Sequence, residues 1–97
     1  MATSVIPNEL ATTVTTISRS TFYKSGNVVT VKLAENNVTV SANIAFITIP
    51  SGLRPQTDMD YIEPISGKRI FFCIDGRLCF NENVSNQTVR GTYTYII

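Results

Sequence analysis

The 97-residue chain contains no histidine and no tryptophan, and only 15% of its residues are charged. Without histidine there is no Ser-His or Cys-His pair to activate a nucleophile, and no metal site built on imidazole. The formal net charge is +1, which gives no electrostatic reason to bind nucleic acid or an anionic membrane. We therefore expect a protein without catalytic activity, without a cofactor, and with neither nucleic acid nor membrane as a partner.

Long apolar runs are also missing. No stretch of 18 apolar residues occurs, so no membrane-spanning helix is predicted. Residues 1–10 lack the basic start and the apolar run of a secretory signal. This segment contains Pro7 and polar residues without a clear period. We interpret it as a linker or the remnant of a connection to a preceding module, and residues 11–97 as a single domain.

A surface poor in charge must be covered by other residues. Here they are Thr, Ser and Asn, a composition typical of β-rich extracellular or virion proteins, while 43% of the residues are hydrophobic. Alternatively, much of the monomer surface is buried against partner subunits.

From residue 11 onward the signals for β-strands are nearly continuous. Strands are predicted over residues 12–24 with a break near 18–20, and over 28–34, 38–49, 58–65, 68–74, 77–81 and 87–97. Turns are predicted at residues 25–27, 35–37, 66–67 and 75–76, and a polar loop at 82–86. No helical period extends beyond one turn. The pattern predicts an all-β fold, an antiparallel β-sandwich or barrel of about seven strands.

Two of these strands are apolar on both faces, near residues 45–49 and 70–74. A strand of this kind is buried on both sides. This is more apolar surface than one small core needs, and it suggests contacts between subunits.

Cys73 and Cys79 flank an Asp-Gly dipeptide, a strong hairpin signal. A two-residue turn would pair Cys73 with Leu78 and would place the cysteines on opposite faces, where no disulfide can form. A three-residue loop over residues 75–77 would instead place them opposite each other. The two-residue turn with free thiols is the favoured prediction, and it fits synthesis in a reducing cytoplasm.

Four segments in this order resemble the C-terminal domains of phage tail and baseplate proteins. They are YKSGNVVTVKL (23–33), ITIPSGLRP (47–55), FFCIDGRLCF (71–80) and VRGTYTYI (89–96). The resemblance extends over about residues 18–97. Such domains are similar to the head domains of receptor-binding proteins from phages of Gram-positive bacteria.

This resemblance implies a β-sandwich or barrel that assembles as a homotrimer, with other phage tail proteins and a host cell-surface saccharide as partners. The protein would be made in the host cytoplasm and carried in the virion. The implied function is non-catalytic host adhesion by a receptor-binding domain. Two alternatives remain open: a structural module that caps or trimerises a fibre, and a bacterial carbohydrate-binding domain.

The candidate receptor-binding residues are Arg54, Asp58, Asp60 and Tyr61. Residues 49–55 form a rigid loop because Pro50, Gly52 and Pro55 exclude a helix or a central strand.

Arg54 presents a guanidinium for a carboxylate or phosphate, or else binds loop carbonyls or a nearby aspartate. Tyr61 offers a ring for stacking on a sugar, or else is a half-buried strand residue. Receptor contacts are expected on the loops at residues 56–61 and 82–86.

Asp58 and Asp60 lie two residues apart, so on a strand they share a face. Paired carboxylates can perform glycoside hydrolysis, but solvated acids next to a strand are the favoured interpretation. With Glu63 they could also bind calcium, although no EF-hand spacing supports this.

Overall fold

The computed structural model describes residues 12–97, and the linker predicted for residues 1–10 lies outside this part. Eight strands form the described chain: β1 (Thr12–Ile17), β2 (Ser20–Ser25), β3 (Val28–Val40), β4 (Ile47–Thr48), β5 (Met59–Ile62), β6 (Arg69–Phe72), β7 (Arg77–Phe80) and β8 (Val84–Ile96). The one helical element in these residues is a 3₁₀ turn at Ser51–Leu53. No helix in this part of the chain is long and apolar enough to cross a membrane.

The strands form two antiparallel sheets, which confirms the all-β prediction in its sandwich form. One sheet has the order β1-β2-β3-β8, and the other has the order β4-β7-β6-β5. The apolar core lies between them and consists of Phe22, Val29, Val31, Leu33, Ile47, Ile49, Leu53, Ile70, Phe72, Leu78, Phe80, Val84, Val89, Tyr93 and Tyr95. Members of this core come from six of the eight strands, three in each sheet, so neither sheet can lose its partner without exposing apolar surface.

Two tight turns connect the first three strands as predicted. The break near residues 18–20 is a two-residue turn, because Ile17 pairs directly with Ser20. The next turn follows Ser25 and contains Gly26 at φ +61°. Such two-residue hairpins need positive φ in the loop, which glycine adopts at little cost.

The turn predicted at residues 35–37 is wrong, because β3 continues through it as a bulge. The register with β8 shifts between Glu35 and Val38, and Asn37 adopts φ +57°. From β8, Arg90 Nη1 donates to the Glu35 carbonyl (2.8 Å) and Nη2 donates to Asn36 Oδ1 (2.8 Å). These bonds keep the extra residue within the sheet, so polar residues typical of a turn lie in a strand.

The Glu35 side chain is buried and closes the β1–β2 turn. Its carboxylate accepts hydrogen bonds from Ser18 Oγ (2.7 Å), Ser20 Oγ (2.6 Å) and the Arg19 N–H (3.0 Å). Burial raises the pKa of Glu35, but these hydrogen bonds outweigh it and leave the pKa below its ordinary value.

The long strand predicted over residues 38–49 is also wrong. The strand β3 ends at Val40, and only Ile47 and Thr48 pair with β7 in the other sheet. Between them the Ala42 N–H binds Asn83 Oδ1 (2.8 Å), and Asn43 adopts φ +63°. The segment therefore carries the chain from one sheet to the other, although its alternating apolar residues resemble a strand.

The β6–β7 hairpin differs from both predicted registers. Phe72 pairs with Leu78, and the Cys73 N–H donates to the Arg77 carbonyl (2.9 Å), so the loop consists of residues 74–76. The Asp58 carboxylate accepts the Ile74 N–H (2.8 Å), which fixes this three-residue loop.

In this register Cys73 and Cys79 lie on the same face of the sheet, diagonally placed, and both are buried free thiols. The prediction of opposite faces is therefore wrong, while the free thiols are present. The predicted two-sided burial holds in part: Cys73 is buried on the outer face, but Ile74 is exposed.

The β8 edge of the first sheet is covered by groups from β5 and from the segments just before and after it. The Arg90 N–H binds Glu63 Oε2 (2.8 Å), the Tyr61 hydroxyl donates to the Thr94 carbonyl (2.6 Å), and the Gln56 N–H donates to the Ile96 carbonyl (3.0 Å). The main chain of β8 is thus hydrogen-bonded on the side that faces away from β3.

Candidate functional site

A groove of about 240 Å³ lies on the outer face of the second sheet. Its floor contains Phe71, Cys73 and Cys79, which the register places on one face of β6 and β7. Its rim carries four polar side chains. Asn43 comes from the segment between β3 and β4, Asp58 and Asp60 come from the start of β5, and Arg77 comes from β7. The groove thus combines an apolar floor with groups that donate and accept hydrogen bonds, the usual composition of a small-ligand site.

The acidic side of the groove is formed by Asp58 and Asp60, the pair predicted from sequence to share a face. Asp58 stands before β5 and binds the Ile74 N–H, so one of its oxygens is already engaged. Asp60 lies within β5, and its Oδ2 is 3.4 Å from Arg69 Nε. Both partners of that ion pair are more than half exposed, 54% for Asp60 and 53% for Arg69, so it contributes little to stability. The carboxylate of Asp60 is therefore accessible to a ligand.

Arg77 forms the opposite side of the groove. Its Nε donates to Asp75 Oδ2 (2.9 Å), and its Nη1 donates to the Asn43 carbonyl (3.0 Å). These contacts orient the guanidinium at the rim.

The two thiols on the floor are poor nucleophiles. Burial raises the pKa of Cys73 to about 11, and the neighbouring Cys79 thiol and the negative charge of Asp58 act in the same direction. Burial also raises the pKa of Cys79. Both groups therefore stay protonated at neutral pH, and a thiol rather than a thiolate lines the groove.

Arg54 lies at the hairpin end of the same sheet and is not a lining residue. Its Nε donates to the Ile49 carbonyl (2.8 Å), and this hydrogen bond joins the end of the 49–55 loop to its beginning. A Cβ added at Gly76 would come within 2.6 Å of Arg54 Nε, so the guanidinium lies directly on the glycine. This is the structural role that was weighed for Arg54, and it explains why a residue without a side chain follows Asp75.

Tyr61 points to the other face of the sheet, between the two sheets. Its ring centroid lies 5.7 Å from that of Phe72 and 5.3 Å from that of Tyr93. Its hydroxyl is bound to the Thr94 carbonyl. Neighbouring residues on a strand face opposite ways, so Tyr61 cannot share the groove with Asp60, and the expectation that it stacks on a sugar there is not met.

The aromatic residue in the groove is Phe71, which belongs to the strand predicted from sequence to be buried on both faces. It pairs with Asp60 on one side and Cys79 on the other, and it is only partly buried. The alternation of β6 contains the signal: with Ile70 and Phe72 in the core, Phe71 must face outward.

Glu63 is fully buried and lies apart from the two aspartates, so the structure does not assemble the calcium set considered from sequence. Its Oε1 accepts the Ser66 N–H (2.7 Å) and the Ser66 hydroxyl (2.6 Å), and its Oε2 accepts the Arg90 N–H (2.8 Å). Burial raises the pKa of Glu63, but these hydrogen bonds outweigh it and leave the pKa below its ordinary value. Within residues 12–97 no group of three or more Cys, Asp or Glu side chains is arranged to hold a metal ion.

Comparison of the chain with models of protein families, with curated proteins and with solved structures found no match.

Proposed function

We propose that this domain is a non-catalytic receptor-binding module of a phage tail or baseplate, and that it recognises a host cell-surface saccharide in the groove on β5, β6 and β7. The observation that carries the proposal is the groove itself, which is lined by the partly exposed Phe71 together with the carboxylate of Asp60 and the guanidinium of Arg77. The order of motifs that resembles phage tail domains supplies the biological setting.

The chemistry of the groove suits a sugar ring. The apolar C–H face of a sugar packs on an aromatic ring, which supplies contact area at low entropic cost. The Asp60 carboxylate accepts hydrogen bonds from sugar hydroxyls, and the Arg77 guanidinium and the Asn43 amide can donate to ring or hydroxyl oxygens. Hydrogen bonds that involve a charged partner are roughly twice as strong as neutral ones.

The proposal that the domain binds without hydrolysing its ligand is supported by the exposure of Asp58 and Asp60. A glycosidase needs one carboxyl group that remains protonated near neutral pH, usually because it is buried. Asp58 and Asp60 are both exposed, and each already interacts with a donor or a cation.

A structural module of the virion is the second candidate. It is favoured by Ile62 and Ile65, which lie at and just beyond the end of β5 with 58% of each side chain exposed. Apolar residues exposed to this degree are suited to contact with a neighbouring tail protein.

The test is binding of the 97-residue chain to purified wall polysaccharides of Gram-positive bacteria, measured by calorimetry. We expect binding that Asp60→Asn weakens at least tenfold. Glu82→Gln is the matched comparison, because Glu82 is about equally exposed (56%) and faces Lys68 at 4.0 Å. It lies outside the groove, on the 82–86 loop that the sequence offered as the other location for receptor contacts, so the pair of variants distinguishes the two locations.

Three outcomes decide between the candidates. Loss of binding in Asp60→Asn alone supports the groove. If Asp60→Asn binds the polysaccharide with the same affinity as Glu82→Gln, the groove is not the binding site. No binding by the parent chain to any wall polysaccharide favours the structural module.

A further inference from the structure

From Thr13 to Ile17, the outer edge of β1 has no partner strand among residues 12–97. In the first sheet β1 is the terminal strand and pairs only with β2. The two-residue loop closes on the Ile17–Ser20 pair, which is therefore hydrogen-bonded, and such pairs alternate along an antiparallel ladder. Thr13 and Thr15 consequently bind β2, while Val14 and Thr16 direct their N–H and C=O groups outward.

The two edge strands of this sheet differ in how their outward main-chain groups are covered. The edge at β8 is covered by Gln56, Tyr61 and Glu63. In contrast, β1 lacks three features by which edge strands avoid pairing: its six residues include no charge and no proline, and its register with β2 is free of a bulge. Val14 lies in the middle of β1 with 57% of its surface exposed.

The sequence of this strand is symmetric. Residues 12–16 read Thr-Thr-Val-Thr-Thr in both directions, with Val14 at the centre. When two copies align antiparallel about a twofold axis at Val14, Val14 faces Val14 and each Thr13 faces Thr15. Val-Val and Thr-Thr pairs are favourable directly across neighbouring strands. A strand with this symmetry is complementary to itself, and the requirement for an isologous contact is self-complementarity.

We propose that β1 is a self-association edge, which joins two copies of this chain through an antiparallel β1–β1 pair centred on Val14. The two four-stranded sheets then form one sheet of eight strands. Two copies use up both β1 edges, so no third copy can join through this contact. The threefold assembly implied by the resemblance therefore requires a different surface. Because the contact is only one short strand wide, its area falls in the class of weak interfaces, and association is expected only at high micromolar concentrations.

The test uses complementary charges at the axis, measured by sedimentation velocity from about 10 μM to 1 mM. For the parent chain we expect the mean mass to rise toward twice the monomer mass. Val14→Lys and Val14→Glu should each abolish association, because two equal charges would face each other. An equimolar mixture of the two variants should associate again. Ile44→Lys is the control, since Ile44 is also 57% exposed but lies outside β1, and it should leave association unchanged.

A second measurement tests the register. In Val14→Cys the two new thiols face each other at the axis, and the Cα separation of a hydrogen-bonded pair, roughly 5.5 Å, permits a disulfide. In Thr16→Cys the two new thiols would lie four residues apart, about 13 Å along the strands. Mild oxidation should therefore link two copies of Val14→Cys and should not link Thr16→Cys.

Several results would overturn the proposal. These are a parent chain that stays monomeric at 1 mM, single-charge variants that associate like the parent, and a mixture that remains monomeric. Far-UV circular dichroism of each variant separates loss of association from loss of the fold. The groove lies on the other sheet, so the outcome is independent of saccharide binding.

Discussion

Replacement of Glu63 by glutamine should strongly destabilise this domain. The Glu63 side chain is fully buried, and its carboxylate joins two parts of the fold: the turn after β5 through Ser66, and the edge of β8 through the Arg90 N–H. Glu63→Gln preserves the size of the side chain but replaces one acceptor oxygen with an N–H₂ group. The amide then turns a donor toward the Arg90 N–H, or toward Ser66 if it adopts the other orientation.

The magnitude follows from the three hydrogen bonds. One buried N–H without an acceptor costs about 1–3 kcal/mol, and changing the remaining acceptor from charged to neutral weakens two bonds that are each worth roughly 1.5–3 kcal/mol. We expect the free energy of unfolding at pH 7 to fall by about 2–4 kcal/mol. This is a large part of the ~5–15 kcal/mol that stabilises a typical domain.

Urea denaturation followed by circular dichroism measures the loss. With a urea dependence of roughly 1 kcal/mol per molar for a small domain, the midpoint of unfolding should fall by about 2 M or more. Glu82→Gln is the matched control, because Glu82 is exposed and its contact with Lys68 is 4.0 Å long; its midpoint should stay within about 0.5 M of the parent.

The pH dependence gives an independent check on the same carboxylate. Its folded-state pKa lies below the ordinary value of 4.5, so its ionised form stabilises the fold above pH 4.5, and this contribution is lost as the pH falls through the folded-state pKa. The difference between parent and Glu63→Gln should be full near pH 7 and should narrow below pH 4.5. A midpoint equal to that of the parent at pH 7, or a difference that grows in acid, would refute the reasoning.

Three further predictions concern the groove and its surroundings. Tyr61→Phe should lower the free energy of unfolding, measured by urea denaturation, by about 0.5–1.5 kcal/mol, because it removes the donor to the Thr94 carbonyl. It should leave saccharide affinity unchanged, and a tenfold loss of affinity would show that Tyr61 contacts the saccharide. Gly76→Ala should lower the free energy of unfolding by about 2–3 kcal/mol, since Gly76 has φ +94° and Arg54 Nε lies 2.6 Å from the added Cβ. A loss below 0.5 kcal/mol would contradict this close contact. Cys73, whose pKa burial raises to about 11, should react with a thiol-specific disulfide reagent at pH 8 at least ~100-fold slower than free cysteine; a rate near that of free cysteine would show an accessible thiolate.

The fold class was predictable because it depends on patterns that the sequence carries locally. The alternation of Val29, Val31 and Leu33 and the turn at Gly26 were both sufficient to define a strand and its boundary, and the structure confirms them. The same local reasoning failed at residues 35–37, where a polar stretch lies inside β3. The deciding contact comes from Arg90, which is more than fifty positions away, so no local pattern could show it.

The candidate site was predictable in part. The shared face of Asp58 and Asp60 follows from strand alternation, and both residues line the groove. Phe71 was missed because β6 is apolar on both sides, which hides which face is inside until the register is known. The position of Tyr61 depends on the same register, since it is fixed by pairing with Ile70 of β6.

The most direct test of the proposed function is to locate the bound saccharide on the domain. Amide resonances of the ¹⁵N-labelled chain can be followed during titration with fragments of Gram-positive wall polysaccharide. Binding in the groove should shift the amides of Asp60, Phe71 and Cys79, on the adjacent strands β5, β6 and β7, and should leave β1 and β2 unchanged. Shifts confined to the first sheet, or no shift at millimolar saccharide, would contradict it.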